Sequence, residues 1–122
     1  MDLLRVTSVL VLIVTLLSCS SPTGTEEQDR WTVSLPTDSL YKYRTGVSGD
    51  EEGAEITDQT EHFAVSEIIR NANTGWEAHY RYQPKPGYIG KDSVELVLRT
   101  GSDGASPPTD IRRVHITFHV HS

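Results

Sequence analysis

The chain ends in a strictly alternating segment, Arg113-Val-His-Ile-Thr-Phe-His-Val-His121. Every second side chain is apolar and those between are polar or basic, so one face can be buried while the other meets water. This period of two is typical of a half-buried strand in an antiparallel sheet. The same pattern occurs three more times, with apolar side chains at Trp31, Val33 and Leu35, at Trp76, Ala78, Tyr80 and Tyr82, and at Val94, Leu96 and Leu98. The pattern predicts an all-β fold.

Turn-forming residues separate these strands at Asn73-Thr-Gly75, Pro84-Lys-Pro-Gly87 and residues 101–108. Residues 40–44 add a short strand. Residues 63–70 fit a strand or a short helix, and the turn that follows favours a strand in a hairpin. Residues 46–59 are acidic and poor in apolar side chains, which predicts a long surface loop. We therefore expect residues 31–122 to form an immunoglobulin-like antiparallel β-sandwich of six or seven strands.

The N-terminal residues have the anatomy of a secretory leader. Residues 6–17 are an apolar run of 12 residues, too short for a spanning helix, which needs about 20. The chain has a single cysteine, and Leu16-Leu17-Ser18-Cys19 resembles the lipobox of bacterial lipoproteins. The resemblance implies that residues 1–18 are a cleaved signal peptide and that Cys19 is acylated. Ordinary secretion and an uncleaved anchor are the alternatives.

The lipoprotein resemblance also implies a location in the cell envelope. In that family Ser20, directly after the cysteine, implies an anchor in the outer membrane, on either its periplasmic or its surface face. Residues 19–30 carry Ser, Pro, Thr, Gly, Glu and Gln without apolar periodicity, which predicts a flexible tether. The net charge of −6 argues against nucleic acid and anionic bilayer surfaces as partners. With no second cysteine, no internal disulfide is possible.

A longer motif follows the second half of the predicted sandwich: Tyr80-Arg-Tyr-Gln-Pro84-Lys-Pro86-Gly87-Tyr88-Ile-Gly90-Lys-Asp92-Ser-Val94. With the strands after it, to residue 120, it resembles the C-terminal half of bacterial immunoglobulin-like and cadherin-like modules. Pro84 and Pro86 should end a strand, since proline lacks the ladder donor. Gly87 and Gly90 can supply the positive φ that a corner between two sheets needs.

Two further positions of this motif have predicted roles in the architecture. The ring of Tyr88 should close the end of the core, and Asp92 should accept backbone N–H bonds at the turn. The calcium motifs of cadherin modules are not matched, because Gly101-Ser-Asp103-Gly104 is too sparse in carboxylates. No calcium site and no cofactor is predicted.

Three histidines, His115, His119 and His121, share one face of the last predicted strand. Imidazoles at this spacing could ligate zinc or copper, with His79 or a carboxylate completing the set. The alternative is that they are simply polar residues on a solvated face. A periplasmic metal-binding lipoprotein is therefore a second hypothesis.

Two other clusters each have a functional and a structural interpretation. Asp50, Glu51, Glu52 and Glu55 could bind a hard cation, although an acidic run is more often a solvated loop. Trp31 and Trp76 could form an exposed platform for sugar rings. Both lie on the apolar side of their strands, so core packing is the favoured interpretation.

No catalytic signature occurs in the chain. There is no Gly-x-Ser-x-Gly elbow, and residues 87–93 do not have the spacing of a phosphate loop. We therefore predict a non-enzymatic, membrane-tethered binding or structural accessory of the cell envelope. Edge strands or the loops of residues 46–59 and 101–108 would contact a protein or a polysaccharide.

Overall fold

The computed structural model describes residues 25–101, 108 and 110–122. Their strands are β1 (Thr25–Pro36), β2 (Tyr41–Arg44), β3 (Gly53–Asp58), β4 (Phe63–Ile69), β5 (His79–Pro84), β6 (Gly90–Thr100) and β7 (Asp110–His121), with one 3-10 turn at Ala72–Thr74. They form a four-stranded sheet in the order β1-β7-β6-β3 and a three-stranded sheet in the order β2-β5-β4. Seven strands in two facing sheets confirm the predicted all-β sandwich. No helix in these residues is long and apolar enough to cross a membrane.

The alternation seen in the sequence sets which side chains are buried. In β7 the buried side chains are Val114, Ile116, Phe118 and Val120, and the histidines between them lie on the outer face. Strand β7 pairs with β6 on one side in antiparallel orientation and with β1 on the other side in parallel orientation. In the parallel pair, Thr25 lies beside Asp110 and Pro36 beside His121. The other pairs are antiparallel.

Aromatic side chains from both sheets fill the core. The rings of Tyr82 and Phe118 stack at 4.0 Å with an interplanar angle of 20°. Trp31 meets Tyr43 edge-on at 5.1 Å, and its indole Nε1 donates a hydrogen bond of 3.2 Å to the hydroxyl of Tyr41. The core interpretation of Trp31 is therefore confirmed.

The folded part begins earlier than predicted. Residues 25–30, assigned to the tether, are the first half of β1. Their polar composition is compatible with a strand because their backbone pairs with β7 at a solvated edge, where Glu26 forms an ion pair of 2.8 Å with Arg113. Residues 19–24 of the predicted tether, and the predicted signal peptide of residues 1–18, lie outside the described residues.

Two other boundaries also differ from the predictions. The predicted loop of residues 46–59 contains β3, because Ala54 and Ile56 face the core while the acidic residues beside them face water. The strand predicted from Trp76 begins only at His79, after a turn in which Gly75 and Trp76 both have positive φ. The predicted hairpin between residues 63–70 and this strand is confirmed by the antiparallel β4–β5 pair.

The corner between β5 and β6 follows the expected pattern. Strand β5 ends at Pro84, and φ is 80° at Gly87 and 143° at Gly90. A Cβ at Gly90 would lie 2.9 Å from the Tyr88 hydroxyl oxygen. Tyr88 is half-buried against the end of the core, and its ring stacks on His62 with centroids 4.2 Å apart.

Asp92 is the main polar group of this corner, and its side chain is buried. Its carboxylate accepts backbone N–H bonds from Glu61 and His62, both 2.9 Å, and from Ser93 at 3.0 Å. The hydroxyl of Tyr82 donates a fourth bond at 2.9 Å. The predicted role as an acceptor of backbone N–H bonds is confirmed, and two of the donors belong to the connection between β3 and β4.

Candidate functional site

Three connections and the start of β1 meet at one end of the sandwich. They are the β2–β3 connection of residues 45–52, the β4–β5 connection of residues 70–78 and the β6–β7 connection, of which residues 101 and 108 are described. Thr25 lies at this end because it pairs with Asp110, the first residue of β7. We call this group of segments the loop end. The opposite, far end carries residues 37–40, 59–62 and 85–89 and the last residues of β7.

One arginine ties two connections of the loop end together. The guanidinium of Arg70 donates hydrogen bonds to the carbonyl oxygens of Gly49 at 2.6 Å, Glu52 at 2.9 Å and Trp76 at 2.7 Å. Arg70 follows β4 directly, so its backbone is held by the sheet. Because a guanidinium is planar and rigid, three bonds to it fix the relative positions of the two connections. Residue 70 was not singled out from the sequence, and no motif marks it.

Trp76 is the most exposed aromatic side chain of the loop end, with 60 % of its surface accessible. Its φ is 64°, and among the described residues it is the only non-glycine residue with a positive φ. Such a conformation costs roughly 1–2 kcal/mol in a residue with a Cβ. The prediction that Trp76 lies in the core is wrong, because the preceding turn redirects the chain and points its side chain to solvent.

The turn before Trp76 is held by its own hydrogen bonds. The side chain of Asn71 accepts bonds from the backbone N–H of Asn73 at 2.8 Å and Thr74 at 3.2 Å, and the Trp76 N–H donates to the Asn71 carbonyl at 2.9 Å. Gly75 takes the left-handed conformation that ends the turn. Together with Arg70, these bonds hold the strained conformation of Trp76.

A cluster of Arg44, Glu77 and His79 lies where the β4–β5 connection joins β5. Arg44 donates to both carboxylate oxygens of Glu77, at 3.0 Å and 2.9 Å. These bonds hold the pKa of Glu77 below its usual range, and the nearby His79, with Nε2 3.1 Å from a Glu77 oxygen, acts in the same direction. Thr45 and Ala78 join the two connections through backbone bonds. These hydrogen bonds hold the β2–β3 and β4–β5 connections against each other where they meet β2 and β5.

A cleft of about 440 Å³ opens between the two sheets at this end. Val47 and Leu98 contribute apolar surface, and Glu27, Asp110 and Arg112 line it with charges. The described residues that line it include no Ser, Cys or His. Thr45 and Thr100 add hydroxyl groups, so the cleft offers mixed apolar and polar surface for contact.

The predicted metal ligands do share one face, but they do not converge. His115 lies beside Glu95, and His119 lies beside Lys91, which is a cation. His79 is in the other sheet, next to β2 and β4. Alternate residues of a strand lie about 6.5–7 Å apart, so His115 and His121 are separated by about 20 Å. Within the described part of the chain, no group of three or more His, Cys, Asp or Glu residues could hold a metal ion.

The acidic residues of the β2–β3 connection also point to different places. Asp50 and Glu51 are exposed at the tip of a turn closed by a 3.0 Å bond from the Glu52 N–H to the Gly49 carbonyl. The Glu52 carboxylate turns back to accept the Gly49 N–H at 3.1 Å, and Glu55 pairs with an arginine of β6. They form no shared cation site.

Two predicted features cannot be located in the structure. Cys19, the predicted acylation site, lies outside the described residues, as do residues 102–107 of the predicted contact loop 101–108. The acylation of Cys19 remains a prediction from the lipobox resemblance.

No family model and no curated protein matches the chain. Among solved structures, the cysteine protease inhibitor EhICP2 from Entamoeba histolytica matches 83 % of this chain and 100 % of its own, with 13 % identity and a TM-score of 0.39. Amebosin matches 80 % of this chain and 100 % of its own, with 17 % identity and a TM-score of 0.33. Both TM-scores are below 0.5, so no functional argument rests on them.

Proposed function

We propose that this chain is a lipid-anchored, non-catalytic binding module of the cell envelope, and that its binding surface is the loop end. The observation that carries the proposal is Trp76: a large aromatic side chain, 60 % exposed, held in a left-handed backbone conformation by the neighbouring turn and by Arg70. More than half of the surface of this side chain is left outside the core. Strained and exposed residues of this kind cluster at binding sites.

The hydrogen bonds that hold the β2–β3 and β4–β5 connections support a binding role. Association is weakened by the entropy of ordering loops, so a preorganised surface binds more tightly than a mobile one. Arg70 and the Asn71 turn supply that order before any partner arrives. Tryptophan and arginine are also the residue types that contribute most of the energy of protein interfaces.

The position of β1 determines how an anchored module would be oriented. Cleavage before Cys19 would leave residues 19–24 between the lipid and Thr25, which lies at the loop end. Six residues span at most about 20 Å. The loop end would therefore face the membrane, and its partner would lie close to the bilayer, in or at the same membrane.

The anchor is tested by expressing the full chain with Cys19→Ala in a Gram-negative host and fractionating the cells. Loss of the cysteine removes the acylation site, so the variant should leave the membrane fraction, with an unchanged melting temperature for the protein that is recovered. Retention of the variant in the membrane fraction would contradict the anchor.

The binding surface is tested by co-purification of the acylated protein after crosslinking in cells. Trp76→Ala should lose the crosslinked partners. Ile89→Ala is the matched control, because Ile89 is also 60 % exposed but lies at the far end. Loss of partners in the Ile89 variant, with retention in the Trp76 variant, would move the binding surface to the far end.

A further inference from the structure

The charges around Trp76 are unbalanced. Asp50 and Glu51 are exposed at the tip of their turn, and neither makes an ion pair with any residue that the structure describes. The two arginines of this region already have other partners. Arg44 binds the Glu77 carboxylate through two hydrogen bonds, and Arg70 binds three carbonyl oxygens. The exposed surface beside the indole is therefore negative.

The acidic turn and the indole have a fixed relationship. Arg70 binds the carbonyls of Gly49 and Glu52, which flank Asp50 and Glu51, and the carbonyl of Trp76. One planar group thus holds both features. The exposed ring and the two exposed carboxylates therefore project from backbone segments that Arg70 holds together, and we call these three residues the indole–carboxylate patch (Asp50, Glu51 and Trp76).

We propose that the indole–carboxylate patch binds a cationic segment of a partner protein, with an arginine or lysine side chain over the Trp76 ring and further positive charge at Asp50 and Glu51. A cation over an indole face is attracted by the ring quadrupole, and carboxylates beside it add charge pairing. The inference rests on the proposed function, in that the loop end is the binding surface. It does not depend on acylation of Cys19.

Charge complementarity favours a basic protein segment over an anionic bilayer. The chain has 17 acidic residues against 11 lysines and arginines, and the indole–carboxylate patch contains no lysine or arginine. An anionic headgroup layer would be repelled by Asp50 and Glu51, whereas a basic segment would be attracted.

The test uses the full chain in detergent and a fluorescein-labelled probe peptide, Gly-Arg-Ser-Arg-Gly-Arg-Gly, with a control peptide of the same length that carries glutamine in place of each arginine. Fluorescence anisotropy should show binding of the arginine peptide that weakens as salt is raised. Trp76→Ala should weaken it about fivefold, within the range of an exposed cation–π contact. The double variant Asp50→Asn/Glu51→Gln should weaken it about tenfold, since it removes two attractive charges.

The matched control is Asp38→Asn/Asp58→Asn, which makes the same change in net charge at exposed residues outside the loop end. It should leave peptide binding within twofold of the parent. Equal weakening by both double variants would show that only net charge acts, and equal binding of the glutamine peptide would show that the positive charge is not recognised; either result would overturn the patch.

Two outcomes separate this inference from the proposed function. If Trp76→Ala abolishes crosslinking in cells but the arginine peptide does not bind, the loop end is the binding surface and the cationic partner is wrong. If vesicles of phosphatidylethanolamine and phosphatidylglycerol bind the Cys19→Ala chain, and Trp76→Ala removes that binding, the occupant is the bilayer and the inference is overturned.

Discussion

Replacing Arg70 by alanine should release the two connections that it holds at the loop end. The substitution removes three hydrogen bonds, of 2.6, 2.7 and 2.9 Å, from a charged donor to carbonyl oxygens. The two bonds to Gly49 and Glu52 are partly buried, and the one to Trp76 is exposed. We expect about 1 kcal/mol for each partly buried bond and about half of that for the exposed one, because water can replace it. The free energy of unfolding should therefore fall by about 2–3 kcal/mol.

Two variants make this prediction specific. Arg70→Lys keeps the charge but cannot reproduce the planar fork, so it should recover less than half of the loss. Arg99→Ala is the matched control, because Arg99 is also a partly exposed arginine, and its ion pair among the described residues, 2.8 Å to Glu55, lies at the surface. Exposed pairs contribute about 0–1 kcal/mol.

The assay is urea denaturation of the purified full chain, together with amide hydrogen exchange. In Arg70→Ala, exchange should accelerate in residues 46–52 and 71–77 and remain slow in β6 and β7, because the sheets do not depend on the guanidinium. If unfolding free energy falls by no more than in Arg99→Ala, and exchange in the two connections is unchanged, Arg70 does not organise the loop end.

Four more predictions concern the corner, the tyrosines and the turn. Asp92→Ala should cost about 3–5 kcal/mol by urea denaturation, since it strands four donors, among them the Tyr82 hydroxyl; a loss under 1 kcal/mol would contradict this. Burial raises the pKa of Tyr80 and Tyr82, so their contribution to the unfolding free energy should be constant below about pH 10 and fall above it, as the unfolded chain loses these protons first; an equal unfolding free energy at about pH 9 and about pH 11 would refute this. Trp76→Gly should stabilise by up to about 1 kcal/mol by relieving the left-handed strain while abolishing partner crosslinking, whereas a marked loss of stability would assign Trp76 a structural role. Gly90→Ala should cost about 1–3 kcal/mol, because its Cβ meets a tyrosine hydroxyl at 2.9 Å, and a neutral effect in thermal melts would show that this ring can move.

Strand positions were predictable wherever burial alternates. The last strand was correctly assigned because its side chains strictly alternate, and the segment around Leu96 because Val94, Leu96 and Leu98 recur at every second position, although Val97 between them is also apolar and buried. Residues 25–30 were assigned to a tether because polar composition alone cannot reveal pairing with a strand that lies about 85 residues later in the chain. The corner acceptor Asp92 was found from its motif, but its donors at residues 61 and 62 were not.

The candidate site was less predictable than the fold. The period-two pattern assigned Trp76 to the core, and only the two successive left-handed residues of the turn explain its exposure. The acidic residues were noticed as a group, but their separation into an exposed pair, a turn acceptor and a surface ion pair depends on the turn at Gly49 and on β6.

Local periodicity and turn chemistry were enough to establish a sandwich of short strands, since each strand shows its buried face in its own few residues. The single cysteine and its leader predict an anchor by the same kind of local pattern. The tertiary structure alone brought Arg70 against the carbonyls of Gly49, Glu52 and Trp76, and so joined an exposed indole to two free carboxylates. Those contacts join residues about 6 to 21 positions apart and depend on how two connections meet at one end of the sandwich, which no local pattern encodes.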